Sequence, residues 1–488
     1  MLSFYQPKMV VYRLFKILVW GYLFLPVYYS YGQNTALTLT TTSSAAQAAF
    51  VAGRDLAENQ HTTEARTYFS KAIAKDANCA MAYLYLAQVS PQSGAAYTQN
   101  LRRAVALAPK VTAGERLLIL AEQAEAEGQT TKAEELLKKV VQQYPDEKRM
   151  YLALASFYLR QADYQAAENT LKTGFKLTPD FPPFSLWLGQ IAAIVGKFPE
   201  ATNAIQTYQQ LLPNEANGYV AAGNLLLKKG QYPAGVKQLE QALQLDSGFY
   251  AAYLGLSAGY LLQNKPEAAR QQAQKLYDLA PNEEVRRQAL AALSNSYLDE
   301  GKFDKALAEA KKSRELAEKS QDTAALIADL NQLGNIYLAQ GNTTEAQAHY
   351  SQALAYTEKA DSYAEVKLLA RRRYLAHEAE IALTKKDLVT ARKKINEYQQ
   401  QATGRKNATE VKEAHRLRGM LALQEKQYET ALQELRQADQ HNPRTLYLIG
   451  SAYLTKGNKA QARLHWATAA QFNQMQYDYL LIRRKASL

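Results

Sequence analysis

Histidines, a cysteine and paired acids are the side chains through which this sequence could do metal, nucleophilic or acid–base chemistry. Their spacing speaks against it. The six histidines, His61, His349, His377, His415, His441 and His465, are spread thinly along the chain. His377-Glu378-Ala379-Glu380 comes nearest to a zinc-protease helix. That helix needs a second histidine four residues on, so that both imidazoles share one face around the metal, and the second is missing here. Cys79 is the only cysteine, so no intrachain disulfide can form and the thiol reads as inert. No glycine-rich phosphate loop and no nucleophile-elbow pattern occur. Acidic pairs such as Glu134-Glu135 read as solvated helix faces. The expectation is a non-enzymatic chain with no catalytic residue, no metal ligand and no cofactor.

Charge narrows the partners. The 488 residues are 47% hydrophobic and 21% charged with a formal net charge of +12, which is ordinary globular composition. The basic pairs and triplets, such as Lys138-Lys139, Lys228-Lys229 and Arg371 to Arg373, are scattered rather than clustered and fit solvated faces. With no nucleic-acid reader motif, no nucleic-acid partner is expected. At the N-terminus Lys8, Arg13 and Lys16 precede an apolar stretch from Ile17 to Tyr29. This stretch is shorter than the roughly 20 apolar residues that a membrane-spanning helix needs. Ser30-Tyr31-Gly32 follows, and residues 1–32 read as a signal peptide cleaved before Gln33. The alternative is an uncleaved membrane anchor. The expected location is outside the cytoplasm, periplasmic or secreted, or tethered by the N-terminal helix. Residues 33–45, rich in threonine and serine, read as a flexible leader.

The elements that must carry all of this are revealed by a repeat. Ala133, Leu137, Val140 and Pro145 recur 34 residues later as Ala167, Leu171, Gly174 and Pro179, and again as Ala201, Ile205, Tyr208 and Pro213. Ala269, Ala273, Leu276 and Pro281 continue the series. Twelve residues before the alanine stand Leu188-Gly189, Ala222-Gly223, Leu333-Gly334 and Ile449-Gly450. Turn glycines follow at 128, 196, 230, 301, 341 and 457. Small residues let two helices approach, bulky ones fill the gap to the next unit, and proline stops the second helix. The pattern resembles the tetratricopeptide repeat (TPR) family, whose unit is a 34-residue helix hairpin. The resemblance implies an all-α fold, a right-handed α-α superhelix of about twelve hairpins stacked because none can bury its apolar face alone. Residues 46–286 carry regular spacing, with a degenerate second unit where Ser90 to Ala95 replaces the turn. Residues 287–474 carry longer units, and residues 475–488 read as a capping helix.

What the resemblance implies for binding is a concave face lined by the first helix of each hairpin. At the fifth position of the unit lies a ladder of Phe50, Leu84, Leu118, Leu152, Leu186, Val220 and Leu254, followed by Ala291, Asn331, Ala376, Arg416 and Tyr447. The groove is thus expected to change from apolar to polar near residue 290. The ladder either holds an apolar segment of a partner or packs adjacent helices together, and the sequence leaves both open. The ninth position holds Asn224, Asn295 and Asn335, with Asn331 beside the last. In TPR domains that grip a C-terminal carboxylate such asparagines act with lysine and arginine. Here Gln332, Arg373 and His377 would be the partners, and the leading lysine is missing. The expected function is a scaffold or adaptor that binds an unidentified protein or peptide in this groove. The alternative is a membrane-tethered factor for envelope assembly or transport. An enzyme site would require irregular segments, of which the only candidates are the Ser90 region and the lengthened units.

Overall fold

The computed structural model describes residues 37–486 except 93 and 406. The expected signal peptide and the first part of the leader lie outside these residues. Among the described residues there are 25 α-helices. They form twelve antiparallel pairs and one terminal helix. The first seven pairs are α1 (Ser44–Glu58) with α2 (Thr62–Lys75), α3 (Ala80–Gln88) with α4 (Ala95–Leu107), α5 (Ala113–Ala126) with α6 (Thr130–Gln143), α7 (Lys148–Arg160) with α8 (Tyr164–Leu177), α9 (Pro182–Ile194) with α10 (Phe198–Leu211), α11 (Ala216–Lys228) with α12 (Tyr232–Leu245), and α13 (Tyr250–Leu262) with α14 (Pro266–Leu279). The later pairs are α15 (Glu283–Asp299) with α16 (Phe303–Lys319), α17 (Thr323–Gln340) with α18 (Thr343–Lys359), α19 (Ala364–Thr384) with α20 (Leu388–Arg405), α21 (Ala408–Gln424) with α22 (Tyr428–Gln437), and α23 (Pro443–Thr455) with α24 (Lys459–Ala470). Helix α25 (Tyr477–Ala486) ends the described chain.

The local sequence explains each hairpin. Gly128, Gly196, Gly230, Gly301, Gly341 and Gly457 all have positive φ at the turn between the paired helices. The same turn position is left-handed at Gln60, Ala162, Asn264, Lys386 and Lys426, where a side chain bears the steric cost that glycine avoids. In six of the pairs a second glycine sets the approach. A Cβ at Gly189 would lie 2.7 Å from Ile205, one at Gly223 2.7 Å from Leu239, one at Gly419 2.5 Å from Leu435, and one at Gly450 2.5 Å from Trp466. The partner is always sixteen residues on, so one bulky side chain of the second helix rests in the space left by one glycine of the first.

Helix length divides the array. Helices α5 to α14 have 13–14 residues, while α15 to α21 have 17–21. That is about one extra turn at 3.6 residues per turn. The lengthening stops at α22, and the last hairpin is short again, with 13 and 12 residues. The degenerate second unit has the shortest first helix, α3, with nine residues.

The solenoid coils onto itself. Arg66 on α2 pairs with Glu284 on α15 (2.5 Å), His61 with Glu215 (3.1 Å), and Arg102 on α4 with Asp361 before α19 (2.8 Å). The described part of the leader makes contacts with α5 and with the end of α2. The Thr40 backbone N–H donates to Glu115 Oε1 (2.9 Å), and Thr41 donates to Asp76 (2.5 Å). Leu37 fills the space over Gly114, where a Cβ would lie 2.4 Å from its methyl. Glu115, fully buried at the start of α5, needs those threonine donors, which is why the segment is held.

A candidate binding cavity on the ninth and tenth hairpins

The apolar ladder is spent on packing. Phe50, Leu84, Leu118, Leu152, Leu186 and Val220 are all buried, between 0% and 7% exposed, and Leu254 is half-buried beside Tyr253 and Tyr277. Leu118 and Leu152 also touch a cavity of about 290 Å³ beside Trp187, and Val220 touches one of about 280 Å³ together with Asn224. Asn295 sits half-buried on α15, outside these cavities.

The polar positions fare differently. Asn331, Gln332, Asn335, Arg373 and His377 line one cavity of about 540 Å³ between α17, α18 and α19. Helix spacing assembles it. Ile327, Asn331 and Asn335 are successive fours along α17, and Arg373 and His377 are one such step on α19, so each set forms one stripe. Tyr350 of α18 enters because Gly334 of α17 has no side chain, and a Cβ there would lie 2.5 Å from the tyrosine ring. The ring then stacks on His377, with centroids 3.8 Å apart and planes 3° from parallel. Its hydroxyl donates to Asn335 Oδ1 at 2.7 Å. The wall is completed by Ala353, Leu354, Val366 and Leu369, and by Gln92 from the degenerate turn of the second hairpin. That turn reaches α17 directly, since a Cβ on Gly94 would meet Ala324 at 3.4 Å.

The cavity has one sign of charge. No carboxylate lines it, and Arg373, exposed, has no ion pair among the described residues. Burial pushes the His377 imidazole down to about 4, so it is neutral near pH 7, and its Nε2 has no hydrogen-bond partner. Glu380 on α19 is committed to Arg416 and to Arg444 (3.0 Å), which hold its carboxyl far below the usual range. Asn335 accepts from Tyr350 through its oxygen and so keeps its amide N–H groups for a ligand. Gln332 forms no hydrogen bond among the described residues. The arrangement can receive a negatively charged or acceptor-rich group against Arg373, with an apolar wall beside it.

Three of the other histidines serve as local partners. His349 contacts the Glu345 carbonyl (2.8 Å), His415 contacts Glu434 (2.7 Å), and His465 stacks on Tyr453. Among the described residues no three His, Cys, Asp or Glu side chains come together as a metal site would require. Cys79 is fully buried, and burial pushes its thiol up to about 11. Sequence reasoning missed Tyr350 and Gln92. Tyr350 was findable from Gly334 sixteen residues earlier, whereas no local signal marks Gln92, which arrives through the coiling of the solenoid.

Profiles described as tetratricopeptide repeat match residues 124–191, residues 286–359, and residues 50–96, 220–284 and 331–408. Among solved structures, a tetratricopeptide repeat protein from Parabacteroides merdae is similar at 18% identity, covering 53% of this chain and 98% of that one, with a TM-score of 0.38. MamA is similar at 19% identity over 33% of this chain and 93% of its own, with a TM-score of 0.29. The search of curated proteins gave no match. With the repeat profiles matching in both halves of a chain built from twelve helix hairpins, the protein belongs to the tetratricopeptide repeat family.

Proposed function

We propose that this chain is a non-enzymatic scaffold acting outside the cytoplasm, and that the cavity on α17, α18 and α19 receives an extended peptide segment of a partner through an anionic group. The observation that carries this is the unpaired Arg373 in a cavity free of carboxylates, beside the uncommitted Gln332 amide. A charged hydrogen bond of this kind contributes about 1.5–3 kcal/mol. The apolar wall of Leu354, Val366 and Leu369 would take the side chain next to that group. The basic start of the sequence and its short apolar run support export. No described helix is long and apolar enough to cross a membrane.

The test uses fluorescein-labelled apolar peptides ending in a free carboxylate or in an amide. The carboxylate form is expected to bind at least about tenfold more tightly, matching 1.4 kcal/mol per decade. Arg373→Ala should remove the difference while leaving far-UV circular dichroism unchanged. Equal binding of the two forms to the unaltered protein would refute the anionic assignment. Export is tested by sequencing the N-terminus of the protein isolated from cells. A start at Gln33 supports a released scaffold, and an intact N-terminus favours the tethered assembly or transport factor.

A further inference from the structure

The last sixteen described residues do more than close the final hairpin. Helix α25 covers that hairpin through Ile482 and Ala486, which pack with Leu446 and Ala469. Capping a solenoid needs only such apolar contact. Yet the segment from Gln471 onward also crosses to the sixth, seventh and eighth hairpins, and there its attachments are polar and directional. Asn473 donates to the Lys228 carbonyl (3.3 Å) and accepts from Tyr232 (2.9 Å). Tyr477 donates to the Asn335 carbonyl, on the helix that lines the Arg373 cavity. Arg483 pairs with Asp299, and the same guanidinium donates to the Leu261 carbonyl (3.0 Å) and Asn264 Oδ1 (2.9 Å). Arg484 adds a second contact to Asp299 at 2.9 Å.

Asp299 is 3% exposed at the end of α15, and its carboxylate meets two guanidinium groups from this one segment. Asp299, Asn264 and a helix-terminal carbonyl form a receptor whose acceptors converge on a single arginine. A buried ion pair gives little net stability over an apolar replacement, but it discriminates strongly between partners. We infer that the turn edge of the sixth to eighth hairpins around Asp299 is a docking surface for an arginine-bearing, tyrosine-rich helical segment of a partner protein, and that the chain's own residues 471–486 occupy it in cis as a displaceable strap. Charge complementarity selects this occupant, because the strap ends in Arg483, Arg484 and Lys485 and the receptor ends in a buried acid. The residues around Asp299 are not among those lining the Arg373 cavity. The Tyr477 contact to the Asn335 carbonyl links the two, so release of the strap removes a contact on a helix that lines the cavity.

The experiment uses the full chain and a fluorescein-labelled synthetic peptide with the sequence of residues 471–486. Affinity for a site occupied most of the time is reduced by the fraction of molecules in which it is open. Arg483→Ala with Arg484→Ala loosens the strap and is expected to tighten peptide binding by about tenfold or more. Asp299→Ala removes the receptor and is expected to abolish binding. The two changes break the same ion pair from opposite sides, so a purely structural pair would move both variants in one direction. Binding that falls in both variants, or changes in neither, overturns the inference. Should either variant lose its circular dichroism signal, hydrogen exchange of the unaltered protein decides. Excess peptide should speed exchange in α25 while α13 and α15 stay protected, and no acceleration overturns the inference.

Discussion

Gly334→Ala should destabilise the ninth hairpin although alanine is the better helix former. The gain from removing glycine inside α17 is about 1 kcal/mol. Against it, the new methyl would sit 2.5, 2.7 and 2.9 Å from three ring carbons of Tyr350, far inside contact distance. Overpacking of this kind costs about 1–3 kcal/mol. The ring cannot yield freely. It is 1% exposed, stacked on His377 at 3.8 Å and hydrogen-bonded to Asn335 at 2.7 Å. Moving it forfeits a hydrogen bond of about 1 kcal/mol and a stacking contact of about 0.5–1.5 kcal/mol. The net expectation is a loss of about 1.5–4.5 kcal/mol. Urea denaturation followed by circular dichroism measures it, and hydrogen exchange places it on α17 to α19 rather than across the array, as nearest-neighbour stability in a solenoid requires. Combining Gly334→Ala with Tyr350→Leu makes room for the methyl, so the two changes should couple by at least about 1 kcal/mol. A neutral or stabilising Gly334→Ala, or additive changes, would refute the claim that this glycine exists to admit the tyrosine.

Two further expectations rest on buried charge. His377 is held down to about 4 by burial, below its ordinary value of 6.5. The unfolded chain therefore binds a proton first as pH falls, so its contribution is intact above pH 6.5 and is lost between pH 6.5 and 4. His377→Phe, which keeps a ring against Tyr350, should flatten that slope in urea midpoints measured across this range. Arg372 is 3% exposed and lies between Glu410 (2.7 Å) and Glu365 (3.0 Å), joining α19 to α21. Arg372→Met leaves Glu410 buried without its cation and should cost about 3–5 kcal/mol, while adding Glu410→Met should recover most of the loss. Thermal unfolding of the single and double variants checks this, and equal losses in both would refute it.

The fold was legible because its determinants are local. The turn glycines, the Gly189, Gly223, Gly334 and Gly450 positions and the prolines after the second helices each act within one hairpin, and the structure uses each of them as their spacing implies. The site was legible only in part. Asn331, Gln332, Asn335, Arg373 and His377 meet in one cavity because two adjacent helices carry them at helical spacing. Asn224 and Asn295, equivalent in the repeat, do not join them. Repeat position says where a residue lies within its own unit, not how far one unit diverges from the next. Contacts between coils of the solenoid left no local trace. Gln92 at the cavity and Arg483 at Asp299 both depend on how many hairpins complete a turn, which no single unit encodes.

The irregular units explain why a cavity forms where it does. In the regular stretch, helices of 13–14 residues match their neighbours along their whole length, and the fifth-position side chains are consumed in that match. Helices α17, α18 and α19 have 18, 17 and 21 residues, longer than those of the regular stretch. One coil away, the degenerate second unit has only nine residues in α3 and a turn in place of the rest. That turn brings Gln92 against the lengthened helices without filling the space between them. A shortened unit and an overlong one thus meet across the coil. The apolar packing that would close a regular array is interrupted there, and the gap is walled by apolar side chains, amides and Arg373, which has no ion pair among the described residues. Two departures from the repeat, each unfavourable for simple stacking, thus meet where Arg373 faces a cavity instead of a carboxylate.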